Sequence, residues 1–103
     1  MQIAIASTDG ETVNEHFGKT DRFLIYDLTD ARLALLKVST VTPLSIDDPK
    51  HAFNPDRMAK TIAALKGCER VYCARIGDRP REELEKAGIE LVVGTGPITG
   101  ING

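Results

Sequence analysis

The order of the apolar segments constrains the fold of this chain more than any other feature. Three short segments with strand-like patterns come first, and helical and strand patterns then alternate, which gives the order β-β-β-α-β-α-β. A proline in the first turn of each helical pattern and a glycine after the pattern mark the two predicted helices. The predicted strands are 2–7, 22–28, 32–41, 70–74 and 89–93. The first predicted helix begins at Asn54-Pro55, and the second spans 78–87.

This order allows few topologies for an α/β fold. The first three strands have no helix between them and form an antiparallel meander, whereas each of the last two follows a helix and joins by a right-handed crossover. If the fourth strand lies beside the first, the result is a five-stranded mixed sheet of order 3-2-1-4-5 with strand 2 antiparallel. The chain then leaves the first and fourth strands in opposite directions, which makes their carboxyl ends the expected ligand crevice.

Length and composition predict a single domain over residues 1–103, with 94–103 as a mobile glycine-rich tail. A net charge of −2 and the lack of a basic run argue against nucleic acid as a partner. No apolar run approaches the roughly 20 residues that cross a bilayer, and the first residues do not resemble a secretory signal. With only two cysteines, the expected location is the reducing cytoplasm.

The loop after the first strand contains Glu15-His16-Phe17-Gly18, a plausible position for a ligand-binding histidine. A neutral imidazole binds metal, its cation binds anions, and its pKa suits proton transfer. The alternative is a surface histidine next to Phe17, which would then anchor the loop on the core. The residues themselves leave both interpretations open.

Cys73 lies near the end of the predicted fourth strand and is expected to open toward the same crevice as His16. Cys68 lies five residues earlier, about 16 Å away along a strand, so one ion cannot bridge the two cysteines. A closed four-ligand zinc site is disfavoured, but His16 and Cys73 could hold an exposed face of a pre-built cluster. Each cysteine could equally be a small buried hydrophobe. A Cys–His catalytic pair would need an orienting group and oxyanion donors that the sequence does not fix.

Three other features carry less weight. The carboxylates are too scattered for a two-metal nuclease, because the first strand carries none. Gly94-x-Gly96 has no helix after it to complete a phosphate loop. His51 in the polar loop 42–53 is expected to be solvated.

Two separated motifs in the same order resemble the dinitrogenase iron-molybdenum cofactor biosynthesis family, which includes the NifX and NafY carriers and the C-terminal domain of NifB. The motifs are Ala4-x-Ala6-Ser7-x-Asp9 with Val13-Asn14-Glu15-His16-Phe17-Gly18, and Cys68-Glu69-x-Val71-x-Cys73-Ala74-Arg75-Ile76-Gly77 with Pro80-x-x-x-Leu84. The resemblance covers about residues 2–93.

The resemblance implies a ribonuclease H-like three-layer α/β/α sandwich and a non-enzymatic role. That role is to bind an iron-sulfur or iron-molybdenum cluster and deliver it to cofactor-assembly or acceptor proteins. His16 matches the family's cluster-binding histidine, and Cys73 matches a NifB-like cysteine. Arg75 would balance the negative charge of a sulfide-rich cluster.

Three questions stay open beside this resemblance. Family members usually continue into a further helix, so one sheet face is expected to be under-covered, which favours a homodimer or a partner protein. The cargo could be another metal-sulfur cluster outside nitrogen fixation. The chain could also be a metal-free protein-interaction module on the same fold.

Overall fold

A five-stranded mixed sheet with two α-helices forms the framework, as the sequence predicts. The computed structural model describes residues 1–30, 32–42 and 55–101. The strands are β1 (Gln2–Ile5), β2 (Thr12–Val13), β3 (Arg22–Thr29), β4 (Arg32–Thr40), β5 (Cys68–Cys73), β6 (Glu90–Val93) and β7 (Gly96–Pro97). The helices are α1 (Pro55–Ala64), α2 (Asp78–Lys86) and a 3₁₀ turn at Ile98–Gly100. Asn54, His51 and most of the predicted loop 42–53 lie outside the described residues.

The strand order in the main sheet is β4-β3-β1-β5-β6. β3 runs antiparallel to both of its neighbours, whereas β1, β5 and β6 are parallel to one another. β1 is therefore central, and its three last residues are buried. The carboxyl ends of β1 and β5 lie side by side at one edge of the sheet, where the chain leaves them in opposite directions.

Both α-helices pack on one face of the sheet, which differs from the expected three-layer sandwich. Met58 and Leu65 of the α1 region and Leu84 of α2 share one buried cluster with alternate residues of β1, β3 and β5. The reason is topological. The crossovers from β4 to β5 and from β5 to β6 step in the same direction across the sheet, so right-handed connections place both helices on the same side.

The opposite face is covered by the C-terminal segment, which the glycine-rich sequence predicts to be a mobile tail. Within residues 94–101, β7 pairs with β2, and the Ile98 N–H donates to the Glu11 carbonyl at 2.9 Å. Ile98 is only 4% exposed and packs among apolar residues of β1 and β3. Glycine richness misled the prediction, because Ile98 and Ile101 are apolar anchors that bury themselves on the sheet.

None of the helices in the described part of the chain is both long and apolar enough to cross a membrane.

Candidate functional site

The loop that carries His16 lies against the exit of β5. His16 and Arg75 form an isolated parallel bridge, and the Phe17 N–H donates to the Arg75 carbonyl at 2.8 Å. The Ala74 N–H donates in return to the Glu15 carbonyl at 2.9 Å. These bonds extend the parallel pairing of β1 and β5 beyond both strands. They bring His16 and Arg75 together at the carboxyl edge of the sheet.

Phe17 anchors this loop. Its side chain is 1% exposed, and its ring lies 5.4 Å from the ring of Phe23 at an angle of 50°. Such tilted pairs add a specific attraction to the burial of both rings. The neighbouring Lys19 and Thr20 N–H groups both donate to the His16 carbonyl, which closes a tight turn. The His16 side chain is therefore held half-buried at the surface by a buried neighbour.

The imidazole of His16 has a defined hydrogen-bond partner. Its Nδ1 accepts from the backbone N–H of Gly18 at 2.9 Å. The backbone N–H of His16 itself donates to Oε1 of Glu15, also at 2.9 Å. The neutral ring therefore carries its proton on Nε2. A neutral imidazole that binds metal through Nε2 must carry its proton on Nδ1 instead, so metal binding through Nε2 would break the bond from Gly18.

The surroundings of His16 favour its neutral form. Burial lowers the pKa of the imidazole below its ordinary value of 6.5, and the positive charges of Lys19 and Arg75 lower it further. The Glu15 carboxylate acts in the opposite direction, with a smaller effect than Lys19. A ring that is neutral at pH 7 can offer a lone pair on Nε2 to a metal once its proton has moved to Nδ1 and the bond from Gly18 has been lost.

Cys73 is placed differently from the expectation. Its backbone lies at the end of β5, but its side chain is 0% exposed in the core beneath the helices. Burial raises the pKa of the Cys73 thiol to about 11, so the sulfur is protonated at neutral pH. The cause is strand alternation, because Cys73 shares its face with the fully buried Val71. The structure joins His16 to Arg75 but does not bring the Cys73 sulfur to the surface beside them.

Cys68 is the first residue of β5, at the opposite end from Cys73, and not a residue before the strand as the sequence predicts. It is buried, and burial raises the pKa of its thiol. Among residues 1–30, 32–42 and 55–101, no three His, Cys, Asp or Glu side chains gather where they could hold one metal ion. Any metal site built on His16 in this part of the chain is therefore open.

Sequence reasoning missed Lys19 and the polar pocket beside it. This pocket of about 260 Å³ lies next to the His16 loop. It is lined by Ser7, Thr8, Glu15, Lys19, Thr20, Asp21 and Arg22. Its signal in the sequence is the cluster of polar and charged residues directly after His-Phe-Gly. No local pattern shows that Ser7 and Thr8, at the end of β1, face the same space.

The fold and the site define a mixed α/β domain with one histidine-bearing loop at the carboxyl edge of its sheet. Its sequence matches the family described as "Dinitrogenase iron-molybdenum cofactor" over residues 1–101, and the chain belongs to that family. It is 37% identical over 94 residues to the FeMo cofactor biosynthesis protein NifB of Klebsiella pneumoniae, covering 88% of this chain. It is 34% identical over 92 residues to the protein NifX of Azotobacter vinelandii, covering 89% of this chain.

The chain spans only part of these relatives, namely 20% of that NifB and 55% of that NifX. Among solved structures it resembles the crystal structure of PH0822, with a TM-score of 0.69 and 25% sequence identity. That likeness covers 96% of this chain and 82% of the other. The family membership connects the domain with iron-molybdenum cofactor biosynthesis and nitrogen fixation.

Proposed function

We propose that this domain binds an iron-sulfur or iron-molybdenum cluster, or its precursor, and delivers it during nitrogenase-type metallocofactor biosynthesis. It acts as a cytoplasmic carrier without catalytic activity, and His16 is the principal cluster ligand. One observation carries the proposal. A half-buried imidazole, held neutral by its surroundings, sits where loops from two adjacent parallel strands are bonded together.

An open site suits a carrier. In a pre-built cluster the sulfides fill most of the coordination of each metal, so a carrier can hold it through fewer protein ligands than the four of a closed zinc site or a resident iron-sulfur site. One or two protein ligands hold the cluster while leaving most of its surface free for the next protein to bind. The open surroundings of His16 among the described residues support this proposal.

Arg75 supplies positive charge beside the imidazole. Its side chain is exposed, while its backbone is fixed by the bridge to His16. A sulfide-rich cluster is anionic, so a cation at this position favours its binding. Lys19 adds a second positive charge, since it lowers the pKa of His16 more than Arg75 does.

Cys73 is proposed as a second ligand, and its binding to the cluster requires the end of β5 to move. Its thiol would have to leave the core and lose its proton before it could bind iron. A Cys73→Ser variant separates the two ligands. If Cys73 binds the cluster, this variant retains less metal than the wild type, and if it does not, retention stays the same.

The proposal is tested by metal retention. The protein is incubated anaerobically with an isolated iron-sulfur or iron-molybdenum cofactor, gel-filtered, and analysed for co-eluting iron and molybdenum. The wild type should retain stoichiometric metal and His16→Ala should lose most of it. Glu11→Ala, in an exposed position of the same loop, is the matched control and should retain metal. Equal retention by wild type and His16→Ala would remove His16 from the site.

A second candidate function rests on the bond between Gly18 and His16. Because Nδ1 already accepts a backbone N–H, the imidazole has a structural use without any metal. In that case the domain is a metal-free interaction module, and the folded wild type retains no metal from any cluster. Retention of a different metal-sulfur cluster, but of neither the iron-molybdenum cofactor nor its iron-sulfur precursor, would instead identify a carrier outside nitrogen fixation.

The ribonuclease H-like fold class is also part of this proposal. We assign the domain to the ribonuclease H-like folds on its strand order and antiparallel β3. In the described residues the C-terminal segment takes the place of the second helical layer.

A further inference from the structure

The outer edge of β6 is an open strand edge with apolar side chains. β6 pairs with β5 on one side, and no strand in the described ranges pairs with its other side. Val92 and Val93 are 38% and 45% exposed. An open edge offers unpaired backbone donors and acceptors to another extended chain.

The hydrogen bonds between β5 and β6 show which backbone N–H groups of β6 point outward. The Gly94 N–H donates to the Cys73 carbonyl at 2.9 Å, so it points toward β5. N–H directions alternate along a parallel strand, and the Val93 and Leu91 N–H groups therefore point away from β5. The free edge presents two backbone donors in the spacing that an added strand requires.

An apolar pocket adjoins this edge on the face away from the helices. It has a volume of about 260 Å³ and lies between the sheet and the 94–101 segment. Its lining includes Tyr72, Val92, Pro97 and Ile101. Gly94 and Gly96 also line it, and a Cβ at either position would meet no atom within 4 Å. A side chain on that face of an added strand would therefore find both apolar contacts and space.

The other edge strand is built differently. β4 is longer and also exposes apolar residues, but a register shift opposite Ile25 and Tyr26 interrupts it, and Lys37 projects from its middle. Bulges and lysines are the features that block edge-to-edge pairing. β6 has neither a bulge nor a lysine. Its single charged residue, Glu90, is paired with Arg70 at 2.8 Å.

The size of the β6 edge decides what occupies it. The four residues of β6 extend about 13 Å. Strand pairing along so short an edge buries far less surface than the about 1,200–2,000 Å² of a stable interface. A second copy joined through this edge alone would dissociate. The edge fits a short extended segment that binds transiently and gains specificity from one side chain in the pocket.

We propose that the outer edge of β6 and its adjoining pocket dock an extended apolar segment of the protein that gives or receives the cargo. The assignment of that partner's role rests on the proposed carrier function. The position supports it, since Gly94 at the end of β6 is bonded to Cys73, two residues before Arg75. A segment docked on β6 would end close to the His16 loop.

The test uses a capped pentapeptide, Lys-Val-Thr-Val-Lys, titrated into the ¹⁵N-labelled protein and followed by amide chemical shifts. The shifts should centre on Leu91 and Val93. Val93→Pro removes one outward N–H without touching the ladder to β5, and should weaken binding about tenfold, whereas Val93→Thr keeps the donor and should bind within about threefold of wild type. A peptide N-methylated at the central threonine and its neighbours should not bind, which tests backbone pairing without altering the protein.

Shifts centred on β4, equal binding of the N-methylated peptide, or no shifts at millimolar peptide would each overturn the proposal. Metal retention by the same variants keeps the two hypotheses apart. A wild type that retains metal but binds no peptide contradicts docking alone. Intact peptide binding by a wild type that retains no metal contradicts the carrier function alone.

Discussion

The backbone of His16 is bonded in parallel register to that of Arg75, although 59 positions separate them in the sequence. The bridge makes the position of the imidazole depend on β5 as well as on its own loop. Phe17 completes the arrangement, because its N–H donates to the Arg75 carbonyl while its ring fills the core. The His-Phe-Gly sequence thus combines a surface group with the buried group that positions it.

Replacing Phe17 should test this dependence. Phe17→Ala removes a fully buried ring that contacts Phe23, and should lower the free energy of unfolding by about 3–5 kcal/mol. Phe17→Leu fills part of the space and should cost less. Urea unfolding followed by circular dichroism measures both variants. A loss below about 1 kcal/mol for Phe17→Ala would show that the ring does not anchor the loop.

The ionisation of His16 should be displaced to lower pH. Because its pKa is lowered in the folded state, the unfolded state binds this proton first as the pH falls. The contribution of His16 to stability is therefore present above pH 6.5 and is lost as the pH falls toward the lowered pKa. An NMR titration of the imidazole against a histidine-containing model peptide measures the displacement. A His16 pKa at or above that of the peptide would contradict the described surroundings.

Neither Cys68 nor Cys73 should react in the folded protein. Both thiols are buried, and burial raises the pKa of the Cys73 thiol to about 11, so that this thiol is protonated at neutral pH. Iodoacetamide at pH 8 should label neither thiol until denaturant is added, as followed by mass spectrometry. Rapid labelling of Cys73 in the native protein would show that the end of β5 opens readily, and would strengthen its assignment as a second ligand.

The C-terminal segment should contribute strongly to stability. Ile98→Ala removes a side chain that is 4% exposed on the sheet, and should cost about 2–4 kcal/mol in urea unfolding. Thr99→Ala changes the exposed neighbour and should stay within about 0.5 kcal/mol of wild type. Equal effects of the two substitutions would mean that the segment does not pack on the sheet.

The main strands and helices could be predicted because their signals are local. Apolar periodicity locates each long strand and both helices to within a few residues, although the observed β5 begins at Cys68 rather than at Arg70. The two-residue strands β2 and β7 have no such signal, since they exist only through pairing with each other. The shared face of the helices follows from crossover direction, a rule that acts on the whole sheet.

The candidate site was partly predictable for the same reason. The loop position of His16 and the strand end at Cys73 are readable from sequence, and so is the convergence of the two loops. The burial of the Cys73 sulfur was also readable, from its alternation with Val71. The bond from Gly18 to Nδ1 was not, because it depends on a side-chain rotamer that no sequence pattern specifies.

The most direct test of the central claim is whether a nitrogen of His16 binds the bound cluster. Electron spin echo modulation of the reduced, paramagnetic complex detects a coordinated imidazole nitrogen, and ¹⁵N-histidine labelling identifies it as belonging to the protein. If His16 is a cluster ligand, the wild type shows a histidine nitrogen coupling that changes with the label and is absent from His16→Gln. A loaded wild type without this coupling, or a coupling that persists in His16→Gln, would contradict the claim.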